Sequence, residues 1–203
     1  MEVIAVVRTF GERTQDECVR RVRRQVSDVR VIRVEPFADA VRECFRIAID
    51  ADARWLVTVD ADVLLDAGAI KGLLAQAGKC RGWQVVGRVR DKFAGAVRMA
   101  GVRAYRVSVL PSVLPYVPDA VRPEGTLARL FAGWEPSNAV LGRHDYEQWL
   151  RDCYRKGAQH RAKHPQWAAT VELDWKRSPD ADFRAAYAGW HGVPFDLPEK
   201  APL

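Results

Sequence analysis

A chain of 203 residues, 48% of them hydrophobic, has the material for one domain, or one domain with a short appendage. It contains no run of about 18 apolar residues, which argues against a transmembrane helix. The formal charge of +6, from 32 Lys and Arg against 26 Asp and Glu, suits an anionic partner without choosing among nucleotide, phosphosugar, nucleic acid and membrane surface. Arginine-rich runs such as VRRVRRQV at 19–26 read first as solvated helix faces. The start MEVIAVVRTF lacks the basic beginning and long apolar centre of a signal peptide, so a cytosolic protein is expected. Cys18, Cys44, Cys80 and Cys153 lie far apart and form no C-x-x-C. Free thiols in a reducing compartment are therefore expected, rather than a zinc or redox site.

In chain order, Val3–Val7 predicts a first strand, and residues 15–26 place Cys18, Val19, Val22 and Val26 at helical spacing. Val29–Val34 alternates and is β-branched, predicting a second strand. Phe37–Asp50 predicts the clearest helix. Its Phe37, Ala40, Val41, Cys44, Phe45 and Ala48 share one face, and Asp39, Arg42, Glu43 and Arg46 look away. Trp55–Asp60 predicts a buried strand, and Asp66 reads as the N-cap of a helix over Ala67–Gln76. This alternation predicts a mainly parallel sheet covered on both faces.

After Gly82 the pattern changes. Trp83–Val89 and Val102–Val107 predict strands without long crossover helices, and Pro111, Pro115, Pro118 and Pro123 predict loop and short helix. A second strong helix is expected from Asp145 to about His160, with Asp145 and Gln148 as a capping-box-like pair. The tail from Pro165 carries Trp167, Trp175 and Trp190 and ends in VPFDLPEKAPL, expected to be irregular. The domain reading is a catalytic domain over 1–164, with a nucleotide-binding half at 1–80 and an acceptor half at 81–164. Residues 165–203 are expected to form an extension packing on it.

The strand Trp55–Asp60 runs into Asp60-Ala61-Asp62. In extended backbone residues i and i+2 point the same way, so both carboxylates are expected to converge, with Ala61 leaving the approach open. Ligands of open α/β sheets bind outside the carboxyl ends of the strands, where this pair falls. Two such carboxylates favour a hard divalent ion, Mg²⁺ or Mn²⁺. Solvated loop aspartates or helix caps are the bland alternative, and Asp66 fills the capping role better. Asp50 and Asp52 repeat the pattern at the opposite end of the sheet and read as loop acids. His160 and His164 are four apart, but no further zinc ligand is evident, so a solvated basic face is expected.

VTVDADVLL, after a βαβαβ start, resembles the D-x-D element of GT-A glycosyltransferases. The preceding FADAVRECFRIAIDADARW is similar to the helix before D-x-D in family-two-like members. AGVRAYRVSVL, RPEGTLARLF and VLGRHDYEQWLRDCYRK resemble segments of bacterial members in the same order, over roughly residues 3–160. The resemblance implies a GT-A-like three-layer α/β/α sandwich and transfer of a hexosyl group, with inversion, from a UDP- or GDP-sugar. The acceptor would be a glycan, a lipid-linked molecule or a protein, with a peripheral membrane-surface contact compatible with it. It implies Asp62 as direct metal ligand, and Asp60 on the ribose or on the metal through water. It further implies His144 as the ligand completing the site, Arg8 and Thr9 near the nucleoside, and Glu124 as general base. The E-D pair that often marks the base, and Q-x-x-R-W, are not matched.

Two other function classes compete. A nucleotidyltransferase or phosphotransferase shares the metal pair but calls for a glycine-rich phosphate loop, and Phe10-Gly11-Glu12-Arg13 has a single glycine. A catalytically inactive carbohydrate- or nucleic-acid-binding module would use the basic charge and the seven tryptophans. Nucleic acid is disfavoured because the tryptophans are scattered.

Overall fold

The computed structural model describes residues 2–120 and 122–195. The chain divides into two compact units, Met1–Tyr146 and Glu147–Leu203.

In the first unit, β1 (Val3–Arg8), α1 (Gln15–Arg23), β2 (Val29–Ile32), α2 (Phe37–Asp50) and β3 (Trp55–Asp60) follow the predicted periodicities. The continuous apolar runs of β1 and β3 make strands buried on both faces. Acids in the first turn of α1 and arginines in its last turn match the helix dipole. There follow β4 (Val63–Leu65), α3 (Ala69–Lys79), β5 (Gln84–Asp91), β6 (Ala96–Arg106), the single turn α4 (Leu110–Val113), α5 (Pro123–Leu130) and β7 (Trp134–His144).

The seven strands lie in the order β2-β1-β3-β6-β5-β7-β4. β1 is parallel to β2 and β3, and β7 is parallel to β5. β6 opposes both β3 and β5, and β4 opposes β7, so β6 and β4 alone run against a mainly parallel sheet. One face packs Ala5, Val7, Val57 and Val59 against α1 and α3. The other packs Ile4, Val6 and Leu56 against α2, where Phe45 is fully buried. Burial of that ring contributes about 1.5–3 kcal/mol. The result is the expected three-layer α/β/α sandwich.

The structure corrects the sequence reading at two turns. Asp66 does not cap α3. Its backbone N–H donates to Leu141 O (2.8 Å), extending the β4–β7 ladder, and α3 opens after Gly68 at φ 75°. Asp145 does not cap the second long helix, which begins at Leu150. Asp145 is left-handed at φ 63°, with its N–H on Asp62 O at 3.1 Å. The second compact unit begins at Glu147, ahead of that helix.

The second unit comprises α6 (Leu150–Lys163), the short α7 (Ala168–Thr170), a π-helical stretch Val171–Trp175 and α8 (Ala181–His191). Asp180 caps α8, accepting from Asp182 N at 2.8 Å. α6 and α8 pack backbone to backbone. A Cβ added at Gly157 would lie 1.9 Å from Ala186 O, and one at Gly189 would lie 1.8 Å from Tyr154 O. Gly→Ala within a helix ordinarily stabilises by about 1 kcal/mol. Gly157→Ala is expected to destabilise instead, by about 1–3 kcal/mol from overpacking, read as a lowered Tm by circular dichroism. A Tm at or above the wild type would contradict the close approach.

His160, expected on a solvated face, is 4% exposed and stacks on Trp167 at 4.8 Å between centroids. Trp175 is fully buried. Residues 196–203 of the run expected to be irregular lie outside the described residues. All four cysteines are free and buried. Among the described residues no helix is long and apolar enough to cross a membrane.

Candidate metal centre

β3 ends at Asp60, and the chain turns through Ala61 and Asp62 into β4. Asp60 and Asp62 remain near enough for the charge of Asp62 to push the Asp60 carboxyl up. β4 pairs Val63 with His144 in β7, and that pairing sets Asp62 beside His144 and Asp145. One ligand atom from each of Asp62, His144 and Asp145 falls within 4.8 Å of the other two, and all three residues are buried. Donors bound to one small ion at about 2.1 Å lie roughly 3–4 Å apart, so the set would draw together to hold a cation. Two carboxylate oxygens and one imidazole nitrogen suit Mn²⁺ or Mg²⁺, which favour carboxylates.

Asp91 orders the imidazole. It ends β5 directly opposite His144 in the parallel ladder. His144 Nδ1 is 2.7 Å from Asp91 Oδ2 and 3.1 Å from Asp145 Oδ2, and its Nε2 lies 3.5 Å from Asp62 Oδ1. Asp91 also accepts from Arg98 Nε (2.5 Å) and Ala94 N (2.8 Å). Burial disfavours its charge, but His144, Arg98 and the Ala94 N–H outweigh burial and hold Asp91 below the usual carboxylate range. An Nδ1–H bound to a fixed carboxylate would leave the Nε2 lone pair on the side of Asp62, free to bind a cation.

Asp60, expected among the metal ligands, belongs to a second set on the α2 face. Arg8 Nε and Nη2 both lie 2.8 Å from Asp60 Oδ1. Burial and the charges of Asp62 and Glu124 push the Asp60 carboxyl up, against the pull of Arg8 and His144. Arg8, expected near a nucleoside, is 3% exposed and lies over the Phe37 ring at 4.8 Å, so it has little surface to offer a ligand. Thr9 is also buried. Its hydroxyl lies 2.8 Å from Glu12 Oε2 and 2.6 Å from Gln15 Oε1 and accepts from Gly11 N, which builds the loop after β1.

Glu124, expected as general base, opens α5 and is buried beneath the strand ends. It receives Arg8 Nη1 (2.9 Å), Tyr105 Oη–H (2.7 Å) and Arg103 Nε (3.0 Å). Burial works against its charge, but Arg103, Arg8 and Tyr105 prevail and hold it at about 2. A carboxylate so occupied is a weak proton acceptor, and this geometry does not offer it to an acceptor hydroxyl.

The structure thus brings Asp62 and His144 together and pairs Asp60 and Glu124 with Arg8, within electrostatic reach of Asp62 and His144. The sequence reading missed Asp91 and Asp145. Asp91 was open to the rule that singled out Asp60, being an acid at the carboxyl end of a strand. Asp145 was hidden by its likeness to a helix cap.

No family model matches the sequence, and no curated protein matches it by sequence. Solved structures do match the fold. S. aureus TarS 1–349 aligns with TM-score 0.53 and 10% identity over 94% of this chain and 71% of that one. The mannosyltransferase PcManGT from Pyrobaculum calidifontis, in complex with GDP-Man and Mn²⁺, aligns with TM-score 0.50 and 13% identity over 94% and 74%. A 4-diphosphocytidyl-2C-methyl-D-erythritol synthase from Anaerococcus prevotii DSM 20548 aligns with TM-score 0.49 and 8% identity over 72% and 93%. The first two likenesses establish a GT-A-like nucleotide-diphospho-sugar transferase fold.

Proposed function

We propose that the chain is a metal-dependent glycosyltransferase, moving a sugar from a nucleotide-diphosphate donor to an acceptor hydroxyl. The observation that carries this reading is the buried set Asp62, His144 and Asp145 at the mouth of a GT-A-like sheet. The mannosyltransferase neighbour bound to GDP-Man and Mn²⁺ supports it by likeness of fold. Asp62 and Asp145 would hold Mn²⁺ or Mg²⁺ by oxygen and His144 by nitrogen, with Asp91 keeping the ring in register. When bound, such an ion neutralises the charge that develops on a diphosphate leaving group. Asp60, at the end of β3, faces the donor's ribose. Glu124 anchors Arg8 and Arg103 and serves as neither acid nor base. UDP- or GDP-sugars are the donors, and the acceptor is a glycan, a lipid-linked molecule or a protein.

Calorimetric titration of UDP, GDP, CDP and dTDP, with and without Mn²⁺, tests the reading. One of them is expected to bind only with the metal. Failure of all four to bind under either condition would overturn it. Asp91→Asn is expected to weaken Mn²⁺ binding about 10- to 100-fold, the usual cost of losing a group that orients a ligating histidine. An Mn²⁺ titration followed by electron paramagnetic resonance measures this, and an unchanged affinity would remove Asp91 from the site.

A further inference from the structure

The nucleotide-sugar reading leaves unexplained why two arginines, one of them buried, and a buried tyrosine gather around one glutamate next to Asp60. Arg8 is 3% exposed, Glu124 8% and Tyr105 1%. Buried charge is costly unless fully paired, and here the pairing converges on a single outlet. Arg8↔Asp60 and Val6↔Thr58 are partners in the β1–β3 ladder, and Thr58↔Arg103 and Leu56↔Tyr105 are partners in the β3–β6 ladder. Arg8, Asp60, Arg103 and Tyr105 therefore project from one face of three adjoining strands, and Glu124 meets them from α5.

Arg8 is the link between the two carboxylates. Its Nη1 rests on Glu124 Oε1 (2.9 Å), and its Nε and Nη2 both reach Asp60 Oδ1 (2.8 Å each). Glu124 is in turn fixed by Arg103 and Tyr105. Oδ1 of Asp60 is thereby occupied. Oδ2 has no protein partner among the described residues, while the Asp60 side chain keeps 28% exposure. Oδ2 lies beside Gly101, where φ is 63° and a Cβ would stand 3.4 Å from Oδ2 and 2.5 Å from Val63 Cγ2. The missing side chain at 101 keeps that approach clear.

We propose that Arg8 is a positioning residue: anchored on Glu124, it pins Oδ1 of Asp60 so that Oδ2 alone is presented to a hydroxyl of the bound nucleotide's ribose. The inference rests on the nucleotide-sugar reading. A planar guanidinium suits the task because it holds two partners at fixed angles, which a lysine ammonium does not. Arg8 acts only through Asp60, so its loss and the loss of Asp60 remove the same interaction.

The test is a double-mutant cycle on the affinity for UDP and GDP in the presence of Mn²⁺, using Arg8→Lys, Asp60→Asn and the double variant. Each single change is expected to weaken binding of whichever nucleotide the wild type binds by about tenfold, and the double variant is expected to bind no more weakly than Asp60→Asn alone. Affinity for Mn²⁺ without nucleotide should stay within about threefold of the wild type in Arg8→Lys, a result that general loosening of the fold would not give. If Arg8→Lys does not fold, Arg8→Gln, which leaves Glu124 paired with Arg103 and Tyr105, takes its place in the cycle. Losses that multiply in the double variant, or wild-type nucleotide affinity in Arg8→Lys, would overturn the proposal alone. Absence of Mn²⁺-dependent binding of UDP, GDP, CDP and dTDP alike by the wild type would overturn both readings.

Discussion

Asp62→Ala is expected to bind Mn²⁺ at least about 100-fold more weakly than the wild type, more than the loss of an orienting neighbour causes. Asp62 supplies one of only two carboxylates in the set, and without it His144 and Asp145 are left to hold the ion. The expected effect on the metal-free protein is small. Asp62 adds to the like charge that pushes the Asp60 carboxyl up, so its removal relieves repulsion while giving up the His144 contact at 3.5 Å. The Tm in EDTA should stay within about 4 °C of the wild type, the shift that about 1 kcal/mol makes in a protein of this size. A variant that unfolds in EDTA, or that keeps its Mn²⁺ affinity, would contradict the assignment of Asp62.

Glu124→Gln is expected to show the opposite pattern, a large loss of stability with the metal donors untouched. Removing one member of a buried ion pair leaves the other uncompensated, at a cost of about 3–5 kcal/mol. Here Arg103 loses its carboxylate and Arg8 is left with Asp60 alone. The effect also has a pH signature. Glu124 ionises at about 2 in the folded chain against 4.5 for the free group. A depressed carboxyl contributes stability that is complete above pH 4.5 and is lost as pH falls toward 2. That contribution is on the order of 3 kcal/mol. The stability gap between wild type and Glu124→Gln, from urea unfolding, should therefore be constant near neutrality and narrow below about pH 4.5. A gap that persists unchanged to acid pH would show that Glu124 is not held ionised by the arginines.

Elements whose burial is periodic were legible in the sequence. α2 begins and ends where its apolar spacing predicts, because one face meets the sheet and the other meets water. β4 and β7 were not legible. Three residues of β4 are too few to show a period, and β7 carries Pro136 and a largely exposed first half. Pairing with β5 and β4 makes β7 a strand, and that is a tertiary effect. The site divided along the same line. Asp62 was marked by its place after a buried strand, and His144 entered through the family resemblance. Asp145 and Asp91 join them only through the ladders of β7 with β4 and β5. Asp60 was legible as the acid that ends β3, but its pairing with Arg8 comes from the β1–β3 ladder and has no mark in the local sequence.

The central claim is that Asp62, His144 and Asp145 hold one divalent ion. The most direct measurement is diffraction from crystals soaked in Mn²⁺, recorded at the manganese absorption edge. The account predicts one anomalous peak within about 2.0–2.4 Å of an oxygen of Asp62, an oxygen of Asp145 and Nε2 of His144. An anomalous peak elsewhere with none at this set, or no peak at a concentration that saturates binding in solution, would contradict it.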